Sequence, residues 1–276
     1  MYNFQNKRYI KTELASILIE FMEKVNAYSH LINYFTISDI MLQALFLKLT
    51  GAQEQKFKSM LWEWGCIDLE CRRYLLNNAR NDKEGKNVKN DEQGVSNFPK
   101  PSGFSNYRDK IKFVKKMYNK IEALNKSNVK NTPTITIKNK HLCDDGGRPL
   151  NEMLIEKTRG YLEMAFNEND SFYRKLRVFR ENWNESNGFI SCNELLINLQ
   201  GKDLFIFSNE FVGSCYEKLI QYRHKCAHNL FVYQNQCKSF AEIDMLNADD
   251  NIFKWIQTLL VIDELSMYLF EKLESQ

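Results

Sequence analysis

The sequence predicts an all-α fold, a helical bundle built from both ends of the chain and interrupted by a polar, basic insertion. Three observations carry this expectation. Apolar residues recur three and four positions apart over most of the 276 residues, the spacing of one helix face. The one long stretch without that rhythm, Arg80 to Gly103, is polar with three glycines and two prolines and reads as a mobile insertion. Neither a Walker A loop nor G-x-G-x-x-G after a strand occurs, which removes the usual phosphate-cradling α/β folds.

Taken in order, Ile10, Leu14, Ile17, Leu18, Phe21 and Val25 mark a first amphipathic helix. Asp39 to Trp64 reads as a second helical region, broken or bent near Gly51, and Ile67 to Leu76 as a third. After the polar stretch come a short helix at Tyr107 to Leu124, a candidate strand at Thr132 to Lys138 and a turn at Asp144 to Gly147. The helical pattern resumes from Asn151 to about Trp183 and again at Cys192 to Leu199. A further helix, N-capped by Ser208 or Asn209, runs to about His228. The last helix, Asn251 to Leu273, is apolar on a wide face (Phe253, Ile256, Leu260, Leu269, Leu273) and should sit deep in the bundle. No internal repeat is visible. The organisation expected is an N-terminal helical segment over 1–79, the insertion over 80–150 and a helical core over 151–276; two domains divided at the insertion are the alternative.

With 43% hydrophobic and 26% charged residues, the composition is that of a globular protein. The longest apolar runs, such as Leu259-Leu260-Val261-Ile262, are cut by charges well short of membrane-spanning length. Met1 to Ile10 lacks the apolar stretch of a secretory signal. A cytoplasmic protein with no membrane association is therefore expected. The seven cysteines are odd in number and form no C-x2-C pair, and only four histidines exist, so neither a structural zinc site nor a cofactor is expected. The net charge of +3 is unevenly spread. Phe104 to Leu150 holds eleven Lys/Arg against four Asp/Glu, which leaves the rest of the chain about four negative. Such asymmetry favours an acidic partner, with nucleic acid the commonest.

The segment that carries chemistry is Gln221-Tyr222-Arg223-His224-Lys225-Cys226-Ala227-His228-Asn229, closing a helix patterned Phe211, Cys215, Leu219. Cutting RNA near neutral pH without a metal needs a base for the 2′-hydroxyl, an acid for the leaving 5′-oxygen and positive charge at the phosphate. Histidine suits the proton transfers, and arginine stays charged and offers phosphate a planar fork. Five residues of an ideal helix rotate by about 140°, so Arg223 and His228 do not share one face. Either the helix bends near Asn229, or a symmetric dimer pairs two such helices around a composite site.

This segment resembles the R-x4–6-H motif of the HEPN family, in the form where a polar residue follows the Arg and Ala-His-Asn closes the motif. The resemblance is strong over about nine residues, supported by helical context over the second half of the chain and weaker over the first. It implies a compact helical bundle and a metal-independent endoribonuclease of the toxin or abortive-infection kind, acting in antiviral defence. Arg223 and His228 would be the catalytic pair. One motif per chain implies a homodimer, with an antitoxin or trigger protein as a further partner. His224 would orient catalytic groups, Asn229 would close the motif, Lys225 would meet phosphate or solvent, and Tyr222 would stack on a base or pack inside. Glu54 and Lys58 match the E-x3-K element of some HEPN nucleases, although the same i, i+4 spacing describes a surface ion pair.

Two basic stripes are candidate RNA contacts: Lys112, Lys116 and Lys120 with Lys115, and Arg174, Arg177 and Arg180. Solvated helix faces have the same spacing. The alternative function is a non-catalytic HEPN-like dimerisation module that docks a partner protein or nucleotide. A small-molecule enzyme with His228 as base lacks any recognisable cofactor motif.

Overall fold

The computed structural model describes residues 7–27, 34–69, 71–73, 104, 107–126, 136–138, 141–143, 147–166, 176–195, 207, 211–228 and 251–275. Its helices are α1 (Leu14–Ala27), α2 (Tyr34–Ile67), α3 (Tyr107–Lys126), α4 (Leu150–Phe166), α5 (Arg177–Asn182), α6 (Cys192–Leu195), α7 (Lys218–His228) and α8 (Ile252–Glu274). The fold class is all-α. Strands β1 (Thr136–Lys138) and β2 (His141–Cys143) form one short antiparallel hairpin, with Ile137 opposite Leu142. The candidate strand at Thr132 to Lys138 corresponds to β1 in its last three residues.

The chain divides into two compact units. The first comprises Met1–Thr12, Glu54–Ile135 and Ser266–Gln276, and the second Glu13–Gln53 and Thr136–Leu265. Helices α2 and α8 contribute residues to both.

In the first unit, Trp64, Phe57, Phe104 and Phe113 form the core, with ring centroids 5.3 to 5.7 Å apart. Asp68 ends α2 and starts a short helical turn, its carboxylate accepting the Cys71 N–H at 3.2 Å, as an N-cap does. Two lysines are buried here, Lys56 and Lys110; the Lys56 ammonium lies 3.1 Å from Met267 Sδ. Lys7 and Lys11 both pair with Glu274.

In the second unit α1 lies against α4, burying Leu14, Leu18, Met22 and Val25. The Leu14 N–H, orphaned at the helix start, donates to the buried Asp263 carboxylate of α8 at 3.0 Å. Lys157 bridges Glu13 at 3.0 Å and Glu264 at 2.7 Å. Burial works against the charge on Lys157, but these two hydrogen bonds outweigh it and raise its pKa. Glu264, more deeply buried, is pushed above the usual carboxylate range by burial despite the same pair; the short contact favours the ionised form of both.

Asn251 caps α8, its Oδ1 accepting the N–H groups of Phe253 at 2.9 Å and Lys254 at 3.4 Å. From Asn251 to Met267 every residue but Lys254 is buried, as the wide apolar face predicts. Among the polar side chains of this stretch, Gln257 is matched at both ends of its amide. Gln257 accepts from Phe189 N–H at 2.6 Å and donates to the Asn187 carbonyl at 2.9 Å. Gly188, with φ +73°, fits under that amide where a Cβ would stand 2.8 Å from it. Phe179, Trp183, Phe189, Phe253 and Phe166 enclose the turn in a continuous ring cluster.

Three expected boundaries change. Ile10 does not join the first helix: residues 7–10 form a separate turn, and α1 starts at Leu14, where Asp263 supplies the cap. No break occurs at Gly51, and α2 runs through it uninterrupted. A glycine costs a helix about 1 kcal/mol relative to alanine, and the buried Phe46, Leu49, Gln53 and Phe57 on either side offset that. Within the pattern from Asn151 to Trp183 the described residues hold α4 and α5, the second entered at Leu176 in extended conformation; residues 167–175 lie outside them. The Arg80 to Gly103 stretch, most of the Asp144 to Gly147 turn, the Ser208 and Asn209 caps and the end of the Cys192 to Leu199 helix lie outside the described residues.

Candidate functional site

The motif lies on α7, in the second unit. Its helix begins not as α but as a π-helical segment, Phe211–Glu217, which gives way to α at Lys218. Phe211, Cys215, Tyr216, Leu219, Ile220, Tyr222 and Cys226 are buried, and this face turns the intervening residues outward. His224 and Lys225 are exposed. Arg223 is half-buried, at the boundary, because Leu219, Ile220 and Cys226 are its neighbours one turn before and after. His228 is the last residue of α7, one turn beyond His224 and Lys225.

Helix α7 stays α-helical through His228. Along such a helix Arg223 and His228 are separated by about 140° of rotation and about 7.5 Å of rise. The described residues thus contain no bend that would bring the two together within one chain. Asn229 lies outside them.

Two sets of contacts among the described residues help hold this helix, each drawing one residue from α2 and one from α8. Tyr222 meets Phe46 edge-on at 5.4 Å and Trp255 at 5.1 Å. Of its two expected roles, stacking on a base or packing inside, the structure gives packing. Tyr216 donates its O–H to Gln53 Oε1 at 2.8 Å, and Gln53 donates to the Leu259 carbonyl at 3.3 Å. Both side chains are fully buried, and burial raises the Tyr216 pKa well above its ordinary value. The sequence order is 46 then 53 on α2 and 255 then 259 on α8, but 222 then 216 on the motif helix. The motif helix is therefore antiparallel to both. Nothing in the sequence pattern singles out Tyr216 or Gln53; the only signal is a polar residue at a helix position flanked by buried neighbours.

Glu54 and Lys58 belong to the first unit, where they pair with each other at 2.8 Å. On α3 the four lysines have different surroundings. Lys112 is exposed, 3.9 Å from Asp109. Lys115 is half-buried. Lys116 is half-buried as well, and burial lowers its pKa to about 8. Lys120 is held by Asp68 at 2.6 Å. Beside them, burial pushes the Cys71 thiol up to about 12. In the second stripe Arg177 and Arg180 are exposed, with Arg177 3.7 Å from Glu181; Arg174 lies outside the described residues. Among the described residues no group of three or more His, Cys, Asp or Glu side chains is placed to hold a metal ion, and no helix is long and apolar enough to cross a membrane.

No protein-family model, curated protein or solved structure matches this chain.

Proposed function

We propose that this protein is a HEPN-type, metal-independent endoribonuclease whose active site is assembled by two copies of the chain. The observation that supports it is the setting of the R-x4-H segment. Its apolar members, Tyr222 and Cys226, are buried, which leaves Arg223 at the edge of the buried face and His224 and Lys225 in solvent. The segment's cationic residues thus stand on the outer side of a helix whose inner face is packed.

In the reaction the RNA 2′-oxygen bonds to phosphorus as the bond from phosphorus to the 5′-oxygen breaks, leaving a 2′,3′-cyclic phosphate. The 2′-hydroxyl proton passes to His228, and the imidazolium so formed returns a proton to the leaving 5′-oxygen. Arg223 binds the phosphate oxygens, where negative charge builds. Because about 140° separates the two positions on one helix, a two-fold homodimer supplies Arg223 from one copy and His228 from the other. The cellular role is that of a cytoplasmic toxin or abortive-infection effector, restrained or released by an antitoxin or trigger protein.

The test is cleavage of end-labelled RNA in EDTA by wild type, Arg223→Ala and His228→Ala. Wild type should cut and each variant should not. Mixing the two inactive variants should restore about a quarter of wild-type activity, since half the dimers are mixed and each has one intact site of two. Intact RNA with wild-type protein would refute the activity, and mixed variants that stay inactive would refute the shared site.

A further inference from the structure

The two anchors of the motif helix differ in kind. The ring contacts of Tyr222 with Phe46 and Trp255 are apolar, and their energy changes more gradually with a small roll of the helix than that of a buried hydrogen bond. The Tyr216–Gln53 hydrogen bond is directional and fully out of water. A roll that breaks it leaves a buried hydroxyl and a buried amide unsatisfied, so the cost rises steeply. Gln53 is in turn fixed by its bond to the Leu259 carbonyl. The Tyr216–Gln53 bond is therefore a directional constraint on the rotation of the motif helix.

Rotation is the coordinate that matters for the motif. Arg223 follows Tyr222 directly in the chain, and a roll of the helix swings its guanidinium along an arc without lengthening the helix. Tyr216 also lies in the π-helical segment, where i→i+5 bonding makes a wider turn than in an α-helix. The phase between Tyr216 and Arg223 is thus fixed by the change from π to α at Lys218. Segments of π-helix within α-helices are rare and occur frequently at functional sites.

We infer that Tyr216 is a positioning residue for the Arg223–His228 site, locking through its bond to Gln53 the helix rotation at which the pair meets the scissile phosphate. This rests on the ribonuclease reading above.

Two variants test it. Tyr216→Phe keeps the ring and removes the hydroxyl. Tyr216→Phe/Gln53→Leu removes both buried polar partners, a change that can be nearly neutral for stability. Four quantities are measured for each: single-turnover cleavage at saturating RNA, RNA Kd, thermal melting and deuterium exchange of the 218–228 amides. Tyr216→Phe should cleave about tenfold or more slower at saturation, with Kd within about twofold of wild type and faster exchange in α7. The double variant should regain melting temperature but not rate. A Tyr216→Phe protein that cleaves at wild-type rate overturns the inference. So does a double variant whose rate recovers with its stability, since burial alone would then explain the residue. An inactive wild type removes the ribonuclease reading and this inference with it; that outcome is recognised in the wild type itself, whereas failure of positioning alone leaves wild type and Tyr216→Phe both active.

Discussion

Substituting Gly188 by alanine measures how firmly the buried amide of Gln257 holds the turn beneath it. At φ +73° a Cβ costs about 1–2 kcal/mol through its clash with the backbone. The added atom would also stand 2.8 Å from Gln257 Oε1 and 2.9 Å from Nε2, closer than van der Waals contact allows. Gln257 is fully buried, so its amide cannot swing into solvent. Moving it breaks the 2.6 Å bond from Phe189 N–H and the 2.9 Å bond to the Asn187 carbonyl. A buried donor or acceptor left without a partner costs about 1–3 kcal/mol. Gly188→Ala should therefore destabilise the protein by about 3 kcal/mol, read from urea titrations with an unchanged m-value. In a Gln257→Ala background no amide is displaced, and the same substitution should cost only the backbone share, about 1–2 kcal/mol. The difference is a coupling of about 1 kcal/mol or more. Equal costs in the two backgrounds would refute the claim that the amide clasps the turn.

Two further outcomes follow from the lysines of α3. Burial brings Lys116 down to about 8, so between pH 8 and the ordinary value of 10.5 the unfolded chain binds a proton that the folded chain does not, and stability from this group rises with pH. Cys71, pushed up to about 12, acts in the opposite direction over much of that window, so the measurement is wild type against Lys116→Met: wild type should gain on the variant between about pH 8 and about pH 10.5, and parallel curves would sink the idea. For RNA binding, Lys112→Ala should flatten the slope of log K against log salt by up to about 0.7, whereas Lys120→Ala, which removes the ion pair with Asp68, should lower stability with less change in slope; the reverse ranking would show that Lys120 leaves its carboxylate to meet RNA.

Legibility in the sequence follows burial. Helix α8 was readable because its apolar face is wide, and Asn251 stands where a cap belongs. The outward turn of His224 and Lys225 is likewise implicit in the run Cys215, Leu219, Tyr222, Cys226. Gly51 misled because local propensity is weak beside tertiary burial. The π-helical segment was not readable, since its register differs from α by one residue per turn and leaves no compositional mark. Gln53, Tyr216 and Gln257 escaped notice for a related reason: polar residues at helical spacing look like a solvated face until the neighbouring helix supplies their partners. The α3 lysines are equivalent in spacing but not in surroundings, because Asp68 and Cys71 approach them from far away in sequence.

The division into units also redistributes the charge. Counted over the whole sequence, the first unit holds 21 Lys/Arg against 12 Asp/Glu, and the second 17 against 23. Nearly all of the positive surplus between Phe104 and Leu150 thus belongs to the first unit, while the motif lies in a unit of net charge −6. Charges in solvent are felt over about 8–10 Å at physiological salt. For an RNA substrate this separates two tasks. On the ribonuclease reading proposed above, capture at long range would fall to the first unit, whose net charge is +9, and would depend steeply on salt. On the same reading, chemistry would fall to Arg223 and His228, acting on phosphates already in contact. Salt should then weaken RNA capture far more than it slows cleavage of bound RNA, because the groups that attract the strand are not the groups that break it.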